Sequence, residues 1–519
     1  MYFISNAIKI AMKMKNLVLL GFIVIKFILQ YLLLNPVYEL HRDEYLHLDQ
    51  AHHLAWGYTS VPPFTSWVSW IILQLGNGEF WVKFFPALFG ALTLIVVWKT
   101  IEKLNGGWFA LLLGAISVVF STLIRINMLY QPNSFDILAW TMLFYTLVRF
   151  IQTSERQWLW LAGITFAVGF LNKYNIAFLA IGLLPSFLMT EHRSIFRNKH
   201  FYYGLGLAFL IISPNLVWQY ANGFPVFGHL SELARTQLVN VSRTGFLAEQ
   251  LLFFMGSLFV ILAAFVAFVI YPPFRKFRII GFTFLFTLGL FTYLKAKGYY
   301  AIGLYPVLLA FGAVYLEQIL AGKRIKYLRM VVLTLPLILF LPLLQIAFPN
   351  RVPQEIIKNQ DDYKRYGMLR WEDGKDHDLP QDFADMQGWK ELAQKVDSAF
   401  NQISDPDHTL VYCDNYGQAG AINYYSKIKN IEAVSLNADY INWFRLDKEI
   451  RTVIRVKEIN DNDKELVVSK PYFDRVEKFG EVTNVFAREK GTCIYVLKNA
   501  KVDVNEIIRK EIAEKKGRR

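Results

Sequence analysis

The chain has 519 residues, 54% of them hydrophobic and 16% aromatic, with a mean hydropathy of +0.29 and a formal net charge of +13. So apolar a composition excludes an ordinary soluble globular protein of this length and predicts a polytopic membrane protein with a soluble part. Residues 349–519 carry 29 Lys and Arg against 30 Asp and Glu, so the basic excess lies entirely in the apolar part, where it marks topology rather than nucleic-acid binding.

In chain order, Lys9, Lys13 and Lys15 precede an apolar run over 17–34. The run is as long as a bilayer requires and lacks a small-residue cleavage site after it, which predicts an uncleaved transmembrane helix. Lys26 lies mid-span, and its stem either snorkels or faces a helix bundle. A polar stretch follows, with Arg42, Asp43 and Glu44 together and then His47, Asp49, His52 and His53. Residues 51–56 and 64–75 read as short amphipathic helices within this first loop, 37–79. Further apolar segments follow near 80–101, 107–124, 134–151, 158–171, 175–190, 202–220, 247–271, 279–294, 299–319 and 328–348. The expectation is a polytopic α-helical membrane domain over 1–348 with about eleven transmembrane helices.

After 348 the composition turns polar. Residues 349–388 read as a linker, and 389–519 as a small α/β domain. Its predicted elements are a helix over 389–400, a strand over 409–413, a helix over 418–425, strands over 432–436 and 452–456, a hairpin over 482–488 and 493–497, and a charged tail over 505–519. Cys413 and Cys493 fall in strand-like runs. Two buried free thiols and, outside the cytoplasm, a disulfide are both open readings.

Orientation follows from charge. With the N-terminus inside, alternate loops hold 17 of the 26 basic residues before 349, and 8 fall on the outer side. An odd number of spans then places 349–519 outside. The outer loops also gather Arg42, Asp43, Glu44, Arg125, Asn133, Asp136, Lys173, Lys295 and Lys297. Acids and bases from separated segments on one face suit transfer of a sugar from a lipid phosphate. A carboxylate orients or deprotonates an attacking hydroxyl, and cations stabilise the departing phosphate. Asp43 and Glu44 fit the first role. Lys173 and Lys297, each beside tyrosines at a membrane edge, fit the second, as does Arg125; interfacial anchoring explains the same placement. His47, His52 and His53 invite a divalent metal, but no supporting ligand pattern accompanies them, and no cofactor is indicated.

Several ordered stretches resemble the bacterial relatives of dolichyl-phosphate-mannose protein mannosyltransferases, within the GT-C glycosyltransferases, a group similar to the lipid A aminoarabinose transferases. They are Arg42-Asp43-Glu44, His53 to Tyr58 with Pro62-Pro63, Leu171 to Tyr174, Ser213 to Gln219 with Gly223-Phe224-Pro225, and Lys297 to Tyr300 with Tyr305-Pro306. In the soluble part they are Asp385 to Trp389 and Asn415 to Ala421. The resemblance implies an inverting transfer from a polyprenyl-phosphate sugar on the outer face of a bacterial cytoplasmic membrane. It places the base on Asp43 with Glu44 beside it, and the lipid phosphate on Lys173, Lys297, Arg125 and Tyr299. Where the family often has Asp-His-Pro-Pro this chain has Ser60-Val61-Pro62-Pro63, which removes two polar side chains from that loop end. Protein, lipid A and cell-surface glycan all stand as acceptors. A non-enzymatic flippase of a lipid-linked sugar is the alternative; such transporters place polar groups near the midplane of repeated halves, whereas here the charges collect at one face.

Overall fold

A computed structural model of the protein describes residues 2–517, except 430, 460–462, 464 and 465. Each apolar segment marked above falls on helix. α1 (Tyr2–Leu32) carries the first. The polar stretch gives α2 (Arg42–Asp49) and α3 (Phe64–Gln74). Then come α4 (Glu79–Lys103), α5 (Trp108–Val119), the single turn α6 (Leu123–Ile126), α7 (Asn133–Thr153), α8 (Gln157–Asn172), α9 (Ile176–Leu188), α10 (Lys199–Ala221) and α11 (Pro225–Thr236). α12 (Arg243–Phe253), α13 (Leu258–Ile270), α14 (Arg278–Tyr293), α15 (Tyr305–Ile319) and α16 (Leu328–Ile346) complete the series.

Among the described residues, five helical runs are long and apolar enough to cross a membrane: α4, α7, α10, α16 and the run Gly298–Ile319, in which a 3-10 segment leads into α15. α12 and the helical run Met255–Ile270 pass the same test together but are bent by 63° at their break, making a sixth if they form one span. Composition and length therefore make this a multi-pass membrane protein.

The chain clusters into two compact units. One comprises Met1–Leu34, Lys83–Trp218 and Ala234–Asn350. Its core holds Leu94, Trp98, Trp140, Phe144, Phe268 and Phe311. Backbones approach closely where side chains are absent: a Cβ on Gly163 would lie 2.3 Å from the Gly204 carbonyl oxygen, and one on Gly204 would lie 2.7 Å from that of Leu159. Two charged side chains inside it are paired. Lys26 faces the bundle, donating to Gln30 Oε1 (3.2 Å) and to the Ala87 carbonyl (3.1 Å). Glu317 accepts from the backbone amides of Gly107, Phe109 and Ala110, placing a carboxylate on the open amides at the start of α5.

The other unit comprises Asn35–Val82, Gln219–Leu233 and Arg351–Arg519. The first loop thus groups with the C-terminal part of the chain. The stretch read as a linker forms α17 (Pro353–Lys358), α18 (Gln360–Arg365) and α19 (Gln381–Ala384), and it buries Tyr363, Leu369, Phe383 and Met386. α20 (Trp389–Phe400), β1 (Thr409–Cys413), α21 (Tyr416–Tyr425), β2 (Ala433–Ser435) and β3 (Thr452–Lys457) follow the sequence reading closely. β4 (Phe473–Glu481) and β5 (Cys493–Ala500) form the antiparallel pair, and α22 (Val504–Gly517) ends the described chain; the last two residues of the predicted tail lie outside the described residues.

The sheet order is β2-β1-β3-β5-β4, parallel for β2-β1-β3 and antiparallel beyond. The first strand of the hairpin is therefore 473–481 and not 482–488. β4 is one of the two edge strands, and its mostly charged, part-exposed side chains give no apolar signal, although they suit an edge that must not pair further. The other local correction is 51–56. A 3-10 turn at Gln50–His52 replaces the expected helix, because the Tyr58 hydroxyl bonds the Gln50 and His53 carbonyls and the Ala55 amide, taking the groups a helix would use. Cys413 and Cys493 are free and buried. They lie on β1 and β5, which flank β3, so about 10 Å of sheet separates them, beyond disulfide reach.

Candidate active site

Asp43 is positioned by α2, a helix formed inside the predicted first loop. His41 precedes the helix with extended backbone, and its Nδ1 accepts from the Asp43 amide (3.2 Å). Glu44 reaches back to the His41 amide (2.7 Å), completing a reciprocal cap. Glu44 is fully buried, so that carboxylate is committed to the helix start. Non-local ties fix the helix against its own unit. The Glu39 amide donates to the Met386 carbonyl and the Arg42 amide to that of Asp385. Glu39 in turn accepts from the Trp389 and Lys390 amides at the start of α20. Tyr45 packs among Trp389, Tyr424 and Tyr425.

The Asp43 side chain is 35% exposed. Tyr416, first residue of α21, donates its hydroxyl to Asp43 Oδ1 (2.6 Å). The Arg42 guanidinium lies 4.5 Å from the centre of the Tyr416 ring. His41 Nδ1 lies 3.9 Å from Asp43 Oδ2, and His41 Nε2 lies 3.7 Å from Asp385 Oδ2. Arg488 pairs with the buried Asp385 at 3.2 Å. Burial alone would raise the Asp43 carboxyl, but His41, Arg42, the Tyr416 hydroxyl and His47 outweigh it and hold the group down at about 2. Asp385 goes the other way, raised by its burial against the pull of Arg488, Arg42 and His41. Two nearby carboxyls thus have opposite tendencies, and Asp43 is the ionised, solvent-reaching one.

The three histidines have separate employment. His47 is buried against Gln50 at 3.4 Å, His53 stacks on Trp443 with ring centres 4.2 Å apart, and His52 is exposed. Among the described residues no group of three or more His, Cys, Asp and Glu is placed to hold a metal ion.

In the helical unit a second polar cluster forms where α8 breaks into α9. Lys173, at the end of α8, donates to Asn133 Oδ1 (2.7 Å) at the start of α7. Its ammonium lies 4.4 Å from the Tyr300 ring centre and 5.2 Å from that of Tyr299. Asn172 donates to the Pro132 carbonyl, and Asn175 to Asp136 Oδ2 (2.8 Å) and to the Tyr300 carbonyl. Lys297, which begins the 3-10 segment carrying both tyrosines, is close enough to act on the Lys173 charge. Lys173, Lys297 and Tyr299 are therefore brought together. Arg125 lies on α6, which is tied to the same end of α7 by Ser134 donating to the Ile126 carbonyl and Asn127 donating to Ser134.

Sequence reasoning missed Tyr416 as the partner of Asp43 and Tyr300 as a second ring under Lys173. Both lie in motifs it had marked, Asn415 to Ala421 and Lys297 to Tyr300.

Residues 60–218 match a sequence model of the family described as dolichyl-phosphate-mannose-protein mannosyltransferase. The fold matches the crystal structure of ArnT from Cupriavidus metallidurans bound to undecaprenyl phosphate, at a TM-score of 0.61 over 92% of this chain and 97% of that one, with 13% sequence identity. The apo form of the same protein matches at 0.61 with 14% identity and the same coverage. The chain is similar to the GT-C mannosyltransferases. No curated protein matches it by sequence. The segment matched by the mannosyltransferase family includes Arg125 and Lys173; Asp43, Lys297 and Tyr299 lie outside it, where the likeness is one of fold.

Proposed function

We propose that the protein is a membrane glycosyltransferase that moves a sugar from a polyprenyl-phosphate donor to an acceptor hydroxyl, with inversion, at the outer face of the bacterial cytoplasmic membrane. The acceptor hydroxyl belongs to a protein, to lipid A or to a cell-surface glycan. The acceptor oxygen attacks the anomeric carbon, and the bond from that carbon to the phosphate oxygen breaks, its electron pair leaving with the lipid phosphate. The acceptor's proton passes to Asp43 or, through it, to solvent. A carboxylate held at about 2 is a weak proton acceptor and a permanently charged one. Its work is to hold the hydroxyl by a charge-assisted hydrogen bond and to stabilise the proton as it loosens late in the step.

Lys173, Lys297 and Arg125 neutralise the phosphate, and Tyr299 frames it. Lys173 stands against the start of α7, a helix end that favours anions. Glu44 acts through the cap that sets Asp43. Eleven spans, a cytoplasmic N-terminus and an extracytoplasmic 349–519 complete the reading, supported by a helix on every apolar segment and by the bias of basic residues between the two sets of loops.

The observation that carries the proposal is the ionised, part-exposed Asp43 clamped by Tyr416 and Arg42. Purified protein in lipid, given radiolabelled polyprenyl-phosphate sugars and bacterial glycolipid acceptors, should transfer or release sugar. Asp43→Asn should lower turnover by about 10³-fold or more while keeping the wild-type melting curve. Unchanged turnover in that variant removes Asp43 from the reaction.

A further inference from the structure

Beside Asp43, and within the same compact unit, a cleft of about 350 Å³ opens between the 371–384 stretch and the end of the sheet. This size falls within the range of small-molecule sites, roughly 300–1,000 Å³. Its floor is charged. Arg42, the residue before Asp43, lines it and leaves its Nε buried with no hydrogen-bond partner among the described residues. Glu458 and Glu489 line it together, both accepting from the Asn415 side-chain amide. Glu489 is buried and accepts also from Gln418 and Thr492, so its position is set by three donors. Arg488 enters from the side, tied to Asp385. One wall is aromatic, the Trp371 indole stacked on His377 with ring centres 3.7 Å apart. The rim is open: Val485 is 60% exposed.

We infer that this cleft is the acceptor subsite of the transfer proposed above, and that its ligand is a saccharide without anionic groups. Carboxylate and guanidinium side by side match the vicinal hydroxyls of a sugar, the one accepting two O–H bonds and the other donating to ring or hydroxyl oxygens. Carboxylates outnumber guanidiniums on the walls, so a phosphorylated or uronic acid ligand would meet net repulsion. An extended peptide needs a free strand edge or a row of backbone groups. Neither edge strand of the sheet, β2 or β4, contributes a residue to the lining, and the polar groups of the floor are side chains. The link to chemistry is short. Arg42 lies on the ring of Tyr416, whose hydroxyl holds Asp43, so a ligand seated on Arg42 presents its hydroxyls one residue from that carboxylate.

The test uses the full-length protein in lipid nanodiscs and saturation-transfer NMR. The probes are maltose, chitobiose and methyl α-glucosaminide, with glucuronic acid and a serine-containing peptide as competitors in class. At least one of the first three should receive saturation. Glu458→Gln, which keeps the shape and removes the charge, should weaken it about tenfold or more. Val485→Trp, which fills the mouth from an exposed position, should abolish it while the melting curve stays in place. Asp43→Asn should still receive saturation at the cleft, from which Asp43 is absent, and fail to transfer. Saturation of none of the sugars, of glucuronic acid or the peptide in their stead, or equal saturation in Val485→Trp would each overturn the cleft assignment. Sugar binding that follows these variants in a protein that transfers from no donor would overturn the transfer reading instead, and with it the acceptor role.

Discussion

At the scale of single residues, the charge of Asp43 is held by neighbours at the start of its own helix, His41 and Arg42 foremost, and by one hydroxyl from far along the chain. Tyr416 is 373 positions away in sequence and donates its hydroxyl to Asp43 at 2.6 Å. Tyr416→Phe isolates that hydroxyl, because the ring that carries Arg42 remains. A hydrogen bond to a charged group is worth roughly 1.5–3 kcal/mol where dry, and less at a side chain one-third exposed, so the Asp43 pKa should rise by about one unit. The sign follows from the direction of the wild-type shift. The folded value lies below the ordinary one, so the charged form, and the stability it contributes, persists as pH falls until about 2. With Tyr416→Phe that window closes earlier, and the acidic limb of kcat/KM moves to about pH 3. Steady-state transfer between about pH 3 and 7 checks this. At the acid end the variant should lose about half of its activity at pH 7, and wild type only about a tenth. Parallel profiles would mean that the hydroxyl does not set the carboxylate.

At the scale of elements, legibility divides by the range of the determining interactions. Helices that need a run of apolar side chains were readable, since bilayer crossing imposes a length and a composition on a contiguous segment. β1, β2 and β3 were readable as buried apolar runs. α2 was not. Five of its eight residues are Arg, Asp, Glu or His, and its helicity rests on the His41 and Glu44 cap and on packing against elements hundreds of residues later. β4 was missed for the opposite reason: an exposed edge strand has no apolar stripe to read. In the site, residue types were legible and roles were not. Asp43 and Glu44 are adjacent acids in sequence, yet one reaches solvent and the other is fully buried in a cap. That difference yields a prediction. Glu44→Gln keeps an oxygen for the His41 amide and should retain most transfer activity. Glu44→Ala loses the cap, at about 1 kcal/mol for an N-terminal cap and more for a buried site, and should lower both the melting temperature and turnover. Equal loss in both variants, with melting unchanged, would give the Glu44 charge a direct chemical role.

At the scale of the whole molecule, orientation decides whether the chemistry can meet an extracytoplasmic acceptor at all. With the eleven spans proposed above, basic residues fall mainly in one set of alternate loops, which insertion would place inside. In that proposed orientation the 315–330 region, with Lys323, Arg324, Lys326 and Arg329, faces the cytoplasm, and 349–519 lies across one more helix, outside. The two native cysteines make this directly measurable. Both are buried and burial raises the Cys413 thiol, so the folded wild type presents no reactive thiolate to a maleimide. Single additions at exposed positions therefore report alone. Val502→Cys sits at a 37% exposed position between β5 and α22, and Lys323→Cys between α15 and α16 in an exposed turn. A membrane-impermeant maleimide applied to intact spheroplasts should label Val502→Cys fully and Lys323→Cys only after lysis. The reverse pattern would place Asp43 and the C-terminal sheet in the cytoplasm and rule out an outer-face acceptor. Labelling of both positions only after lysis would mean that the helix between them does not cross, and the odd count of spans would fall with it.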